Sequence, residues 1–202
     1  MVGLASVAHA DEGAAVHGRL DHDLVLTGAL GGGVALNDRA HPAPTGAASL
    51  ELRARVLDMA GLMLAGEWRP EGDSRLLVAV DLRPLFLARW LLGASLHRDF
   101  ADLLLDSLGL DLGAAFGPFD GAFGVALAVG VGLDVPLAIG PHADGLFLRL
   151  SARHVSAGAG DQAAPRGGAS DWFLGAAIGG RFSVASGIAE WEPARYEVRA
   201  PD

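Results

Sequence analysis

The clearest pattern in the chain is a strict alternation of large and small side chains over residues 123–139. Every odd position carries a large apolar residue, and every even position carries Gly, Ala, Asp or Pro. A period of two is typical of a β-strand, whose successive side chains point to opposite faces. A single transmembrane helix with a seam of glycines is the alternative. The strict alternation, with Asp134 and Pro136 near its end, favours the strand.

This predicted strand is much longer than the five or six residues usual in soluble proteins. At roughly 3.3 Å per residue, it is long enough to cross a bilayer at a tilt and to protrude from it. Its unbroken apolar face is also what lipid contact requires. We therefore interpret residues 123–139 as a membrane-crossing β-strand.

The same period of two recurs along most of the chain, between polar, Gly- and Pro-containing connections. Asp58 interrupts the second run, so that run is either one strand or two strands joined by a tight turn. Residues 85–105 instead have helical spacing and predict a short helical insertion against the barrel mouth or the membrane surface. The remaining alternating runs cover residues 18–36, 50–68, 76–83, 108–116, 146–154, 172–188 and a short closing strand at 195–199.

Together these runs predict an all-β fold, an antiparallel up-and-down transmembrane β-barrel of eight strands. Turns within the two long N-terminal runs would raise the number to ten. An eight-stranded barrel is too narrow to leave a channel once side chains fill it.

The faces opposite the apolar runs carry charges of both signs, which we expect to pair inside the barrel. The small residues of 123–139 would leave room for long Arg side chains from neighbouring strands. The predicted lumen network consists of Arg19, Asp21, Asp23, Glu51, Arg53, Arg55, Asp81, Arg83, Asp111, Asp134, Arg149, Arg153 and Arg181.

Composition narrows the function classes. The net charge of −9 argues against nucleic acid binding, because there is no basic patch to neutralise phosphates. The absence of Cys removes disulfides, thiolate metal sites and Cys nucleophiles. His22 lies between two Asp residues, but neighbours in a strand point to opposite sides and cannot converge on one ion. The sequence therefore predicts neither a metal site nor a cofactor.

The N-terminal residues 1–10 end in Ala8-His9-Ala10, which has the small-x-small form of a signal-peptidase site. We interpret them as the remnant of a secretory signal peptide; a short apolar arm is the alternative. Residues 11–202 are then a single barrel domain.

In these features nearly the whole chain resembles the small bacterial outer-membrane β-barrels. The resemblance implies a location in the outer membrane of a Gram-negative bacterium, with outer-membrane lipids as partners. The implied role is structural, adhesive or concerned with small solutes, and a small-molecule or lipid ligand is left open. The ending Arg199-Ala200-Pro201-Asp202 departs from the aromatic residue on which such proteins often end.

A local resemblance suggests an enzyme. His154-Val155-Ser156 is similar to the His-x-Ser segment of lipid A 3-O-deacylases, which implies Ser156 as nucleophile and His154 as base on the lipid-facing surface. Asp171 is the best match to the orienting carboxylate and Asp161 the second. Ala157 stands where that family commonly has Asn.

A soluble periplasmic lipid-binding barrel is the third hypothesis. It predicts the inverse arrangement, with an apolar interior and the charged faces outside.

Overall fold

The computed structural model describes residues 22–37, 44–70, 74–92, 94, 96, 98–119, 122–157 and 170–188. Over these residues eight antiparallel strands form a closed barrel, in which each strand pairs with the next and β8 pairs with β1. The prediction of an all-β antiparallel barrel with eight strands is confirmed. The strands are β1 (Leu24–Asn37), β2 (Thr45–Val56), β3 (Ala60–Trp68), β4 (Arg75–Leu82), β5 (Gly109–Phe119), β6 (Ala122–Ile139), β7 (Gly145–Ala157) and β8 (Ser170–Val184).

The two ends of the barrel differ in their connections. We call the end where β1 begins and β8 ends the lower rim; it holds the short turns at 57–59 and 140–144. The opposite end, the upper rim, is where β7 ends and β8 begins. The insertion between β4 and β5 therefore leaves from the lower rim, whereas β7 ends and β8 begins at the upper rim.

A tight turn at Leu57–Met59 divides the second alternating run into β2 and β3, with Val56 paired to Ala60. Leu57 and Asp58 both have a positive φ, of 51° and 55°. The turn contains three residues, so even-numbered residues face outward in both strands. The alternation therefore continues across the turn as if the chain were one strand.

The barrel closes between its first and last strands. Every residue of β1 is paired with a residue of β8, from Leu24 with Val184 to Asn37 with Asp171. The prediction that residues 195–199 form the closing strand is wrong, because β8 already occupies that edge; those residues lie outside the described part of the chain. Asp23 stabilises this seam between β1 and β8 by accepting hydrogen bonds from the backbone N–H groups of Ser186 (2.5 Å) and Ile188 (2.6 Å).

The long strand predicted over 123–139 is confirmed as β6, which pairs with β5 and β7. Its register with β7 shifts between Pro136 and Ala138. Proline lacks a backbone N–H and is tolerated where the hydrogen-bonded ladder is interrupted by a bulge. The rest of the strand keeps strict alternation, so its odd positions face outward as far as Val135.

The outer wall is apolar and the interior is charged, as predicted for a membrane barrel. The Leu and Val residues of the alternating runs are exposed on the outside, while Arg, Asp and Glu residues are buried within. Phe123, Trp68 and Trp172 are exposed near the upper rim and Phe182 near the lower rim. This arrangement contradicts the hypothesis of a soluble lipid-binding barrel, which requires the reverse.

The predicted helical insertion is confirmed as two short helices between β4 and β5, α1 (Pro84–Leu92) and α2 (Asp99–Asp106). Phe86 of α1 is fully buried and packs against Leu57 and Met59 of the β2–β3 turn. Neither helix in the described part of the chain is long and apolar enough to cross a membrane.

Candidate functional site

The centre of the barrel interior is organised around Arg53 on β2. Its guanidinium lies 2.7 Å from Asp111, 2.9 Å from Glu51 and 3.0 Å from Asp81. Three strands, β2, β4 and β5, supply these carboxylates. The planar fork of Arg can bind several carboxylate oxygens at once, which a Lys ammonium does less well.

Glu51 connects this centre to the opposite wall. Its two oxygens receive Arg153 at 2.5 Å and Arg149 at 2.9 Å, both from β7. Arg153 also donates to Glu67 of β3 at 2.8 Å. These ion pairs cross the lumen, so they tie together strands that are not neighbours in the sheet.

A second group of charges lies at the lower rim. Asp58 in the β2–β3 turn accepts hydrogen bonds from Arg83 (3.1 Å) and Arg181 (2.9 Å). Asp134 of β6 accepts from Arg83 and from Arg149, both at 2.7 Å. The positive φ values of Leu57 and Asp58 form the tight turn that brings Asp58 to this point. Arg83 and Arg181 hold its carboxylate there.

A third group lies toward the upper rim. Asp171 at the start of β8 is paired with Arg69 at 2.5 Å and with Arg75 at 2.7 Å. Arg69 also reaches Glu67 at 3.4 Å. Glu67 therefore links this group to the central one through Arg153.

Glycines of β6 make the interior wide enough for the long cations. A Cβ added to Gly132 would lie 2.7 Å from Cζ of Arg149, and one added to Gly130 would lie 3.2 Å from Cγ of Arg153. Both contacts are closer than ordinary van der Waals distance. The small residues of this strand thus have the role that the sequence pattern predicted for them.

Apolar side chains fill much of the space that the charges leave. A cluster of buried residues that includes Met63, Leu77 and Val155 lies within the barrel, together with several Ala residues. At the lower rim, a cavity of about 30 Å³ is lined by residues that include Leu103 of α2, Ser107, Arg83 and Asp134. That volume holds only one or two water molecules.

The prediction of a charged, ion-paired interior is confirmed, and the structure adds members to it. Arg19 and Asp21 lie outside the described residues, and Asp23 lies at the seam. The other ten predicted residues are buried and ion-paired. Sequence reasoning missed Asp58, Glu67, Arg69 and Arg75 as lumen residues, and assigned Asp171 to catalysis. Glu67 and Arg75 occupy inward positions of β3 and β4, so the alternation already contained the signal for them.

The residues of the enzyme hypothesis lie on both sides of the wall. His154 and Ser156 have the outward parity of β7, and the His154 ring lies 4.8 Å from that of Trp172. Asp171 faces the lumen, where Arg69 and Arg75 hold it. The structure therefore does not bring Asp171 to His154 and Ser156, and Asp161 lies outside the described residues.

An open groove of about 530 Å³ crosses strands β6, β7, β8 and β1. All of its lining residues are Gly, Ala, Leu or Val, except Ser151. Binding pockets for small molecules usually combine an apolar wall with several convergent polar groups. This groove instead resembles the rest of the apolar wall.

Within the described part of the chain, no three His, Asp or Glu side chains are grouped so that they could hold a metal ion. No protein-family model and no curated protein matches the chain. Among solved structures, the chain is similar to that of Neisserial surface protein A. The two share 13% identity with a TM-score of 0.39, and the match covers 79% of this chain and 96% of the other.

Proposed function

We propose that this protein is an integral β-barrel of the outer membrane of a Gram-negative bacterium. The observation that supports this most directly is the inverted polarity of the wall, with Leu and Val outside and ion pairs inside. In water, such a surface would expose a large continuous apolar area, which soluble monomers avoid. In a bilayer the same surface contacts acyl chains, and the eight described strands form a closed sheet without an open edge.

The filled interior favours a structural or adhesive role over conduction. The ion pairs of Glu51 with Arg149 and Arg153 cross the lumen, and Leu103 of α2 and Ser107 line part of the small cavity at the lower rim. Solutes would have to separate several buried ion pairs in order to pass, and a buried charge that loses its counter-charge keeps its desolvation cost. The lumen network therefore acts as the internal support of the barrel.

Membrane integration is tested by expressing the chain with a secretion signal in a Gram-negative host and separating the two membranes by density. We expect the protein in the outer-membrane fraction, resistant to extraction at alkaline pH. As the matched measurement, the chain refolded without detergent should aggregate, and refolded with lipid vesicles it should become protected from protease. A monomeric, folded chain in detergent-free buffer would contradict the proposal.

Conduction is tested separately with the refolded protein in planar bilayers. We expect no stepwise current, because the lumen is filled. Stable single-channel steps would show that the network opens, and would favour a small-solute role instead.

A further inference from the structure

The helical insertion between β4 and β5 has its polarity inverted in the same way as the barrel wall. Three of its charged side chains are turned inward: Asp102 and Asp106 of α2 are buried, and Arg89 of α1 lies between them, whereas Arg98 between the helices is exposed. A surface helix pair in water would do the opposite and expose its charges. This inversion indicates that the insertion lies in an apolar environment.

The buried charges hold the two helices together through ion pairs and hydrogen bonds. Arg89 donates to Asp106 at 2.6 Å and also to Asp102. Asp102 accepts further hydrogen bonds from the backbone N–H groups of Leu96 (3.0 Å) and Arg98 (3.3 Å), in the segment between the helices. The buried charges of Arg89, Asp102 and Asp106 are therefore paired within the insertion.

The outer surface of the insertion is made of large apolar side chains. Leu91 and Leu92 at the end of α1 are 68% and 80% exposed, and Leu96 and Phe100 are about half exposed. Leaving such residues exposed to water is unfavourable, because apolar surface gains free energy when it is removed from water. Something apolar therefore covers this surface.

The position of the insertion identifies what covers it. Leu82 of β4 and Leu110 of β5 are paired neighbours at the lower end of the apolar wall, and both are exposed. Leu85 and Leu108, at the two ends of the insertion, are also exposed and continue the same surface. The apolar surface of the insertion is thus continuous with the part of the barrel that contacts lipid under the proposed function.

We propose that α1, α2 and the described residues that flank them form a lipid-embedded anchor, whose exposed Leu and Phe side chains enter the leaflet at the lower rim. Its inner side is fixed to the barrel, because Phe86 packs on the β2–β3 turn and Ser107 Oγ donates to the carbonyl of Asp134 at 2.9 Å. Amphipathic helices of this kind bury their apolar face in the boundary between headgroups and acyl chains. This proposal rests on the proposed membrane location.

The test uses single cysteines, since the chain has none of its own. Leu92→Cys on the insertion, Leu30→Cys on the outer wall and His142→Cys in the short turn at the lower rim each receive an environment-sensitive fluorophore. The full chain is refolded into phosphatidylcholine–phosphatidylglycerol vesicles with and without nitroxide-labelled lipid. Iodide in the buffer reports access to water.

We expect the label at position 92 to lose most of its emission to the nitroxide lipid and to be insensitive to iodide, like the label at position 30. The label at position 142 should behave in the opposite way. Quenching of position 92 by iodide, with position 30 protected, would overturn the anchor alone. Quenching of position 30 by iodide would overturn the membrane location itself. Protection of position 92 from both quenchers would overturn the anchor, because protein would then cover it.

Discussion

Leu52 and Arg53 are neighbours on β2 and lie in opposite environments. Leu52 is 49% exposed on the outer wall, whereas Arg53 is buried inside among three carboxylates. The same contrast recurs along the other strands. The comparison shows that in this barrel the face of the strand, rather than the position along the chain, decides which chemistry a residue must have.

The two faces also differ in how specific their requirements are. Under the proposed function, the outer face requires only apolar side chains, because acyl chains are a uniform and adaptable environment. The inner face requires that each charged side chain has a particular partner of opposite charge, because a buried charge that loses its counter-charge keeps its full desolvation cost. Substitutions at adjacent positions should therefore differ in both size and cause.

The largest effect is expected for Arg53→Leu on the inner face. The change leaves Glu51, Asp81 and Asp111 with fewer counter-charges, and should lower the free energy of unfolding by about 3–5 kcal/mol. Urea titration of the refolded protein in vesicles measures this. Arg53→Lys is the matched control; it keeps the charge without the fork and should lose less. An unchanged midpoint in Arg53→Leu would contradict the assigned role of the network.

A smaller loss is expected for Leu52→Arg on the outer face. A cation at the middle of the apolar wall should cost about 2–4 kcal/mol, and the cost falls to about 0–1 kcal/mol near the membrane interfaces. Leu36→Arg, close to the upper rim, is the control for depth. The same titration measures both variants. Equal losses at the two positions would show that the wall does not span a bilayer as described.

The smallest effect is expected for Gly132→Ala, which tests the fit between the two walls. The added Cβ meets the guanidinium of Arg149. Overpacking of this kind costs about 1–3 kcal/mol. Gly46→Ala on β2 is the matched control, because a Cβ there would have no atom within 4 Å. If both variants are equally stable, the glycines of β6 do not serve to accommodate Arg side chains.

The sequence was informative about the strands because alternation is a local property. Residues 123–139 alternate without exception, and they form β6 as predicted. The sequence could not decide whether a turn lies at Leu57–Met59, because a turn of three residues leaves even-numbered residues facing outward in both strands. The closing strand was misplaced because pairing between β1 and β8 depends on how the sheet curls, which no local pattern records.

The sequence predicted many of the residues that face the lumen, but it could not predict which of them form ion pairs with one another. Inward parity identified Glu51, Arg53 and Arg153 as lumen residues. Their partners lie far away in the chain, as with Arg153 and Glu67, and only barrel geometry brings them together. For Asp171 the alternation predicts an inward-facing side chain, as the structure shows. The His-x-Ser resemblance instead assigned it to a catalytic triad on the outer surface, which was wrong.

The pairing of Leu24 with Val184 places the first and last residues of the barrel side by side at the lower rim. A short peptide that replaces the segments before Asp23 and after Ile188 could therefore join the two ends, and new chain ends could be opened at another turn, such as residues 140–144. A different strand would then come first in the sequence, while every pair of hydrogen-bonded strands in the sheet would stay the same. The order in which the strands emerge during synthesis is thus separable from the architecture they build, and circular permutants would show which of the two governs assembly.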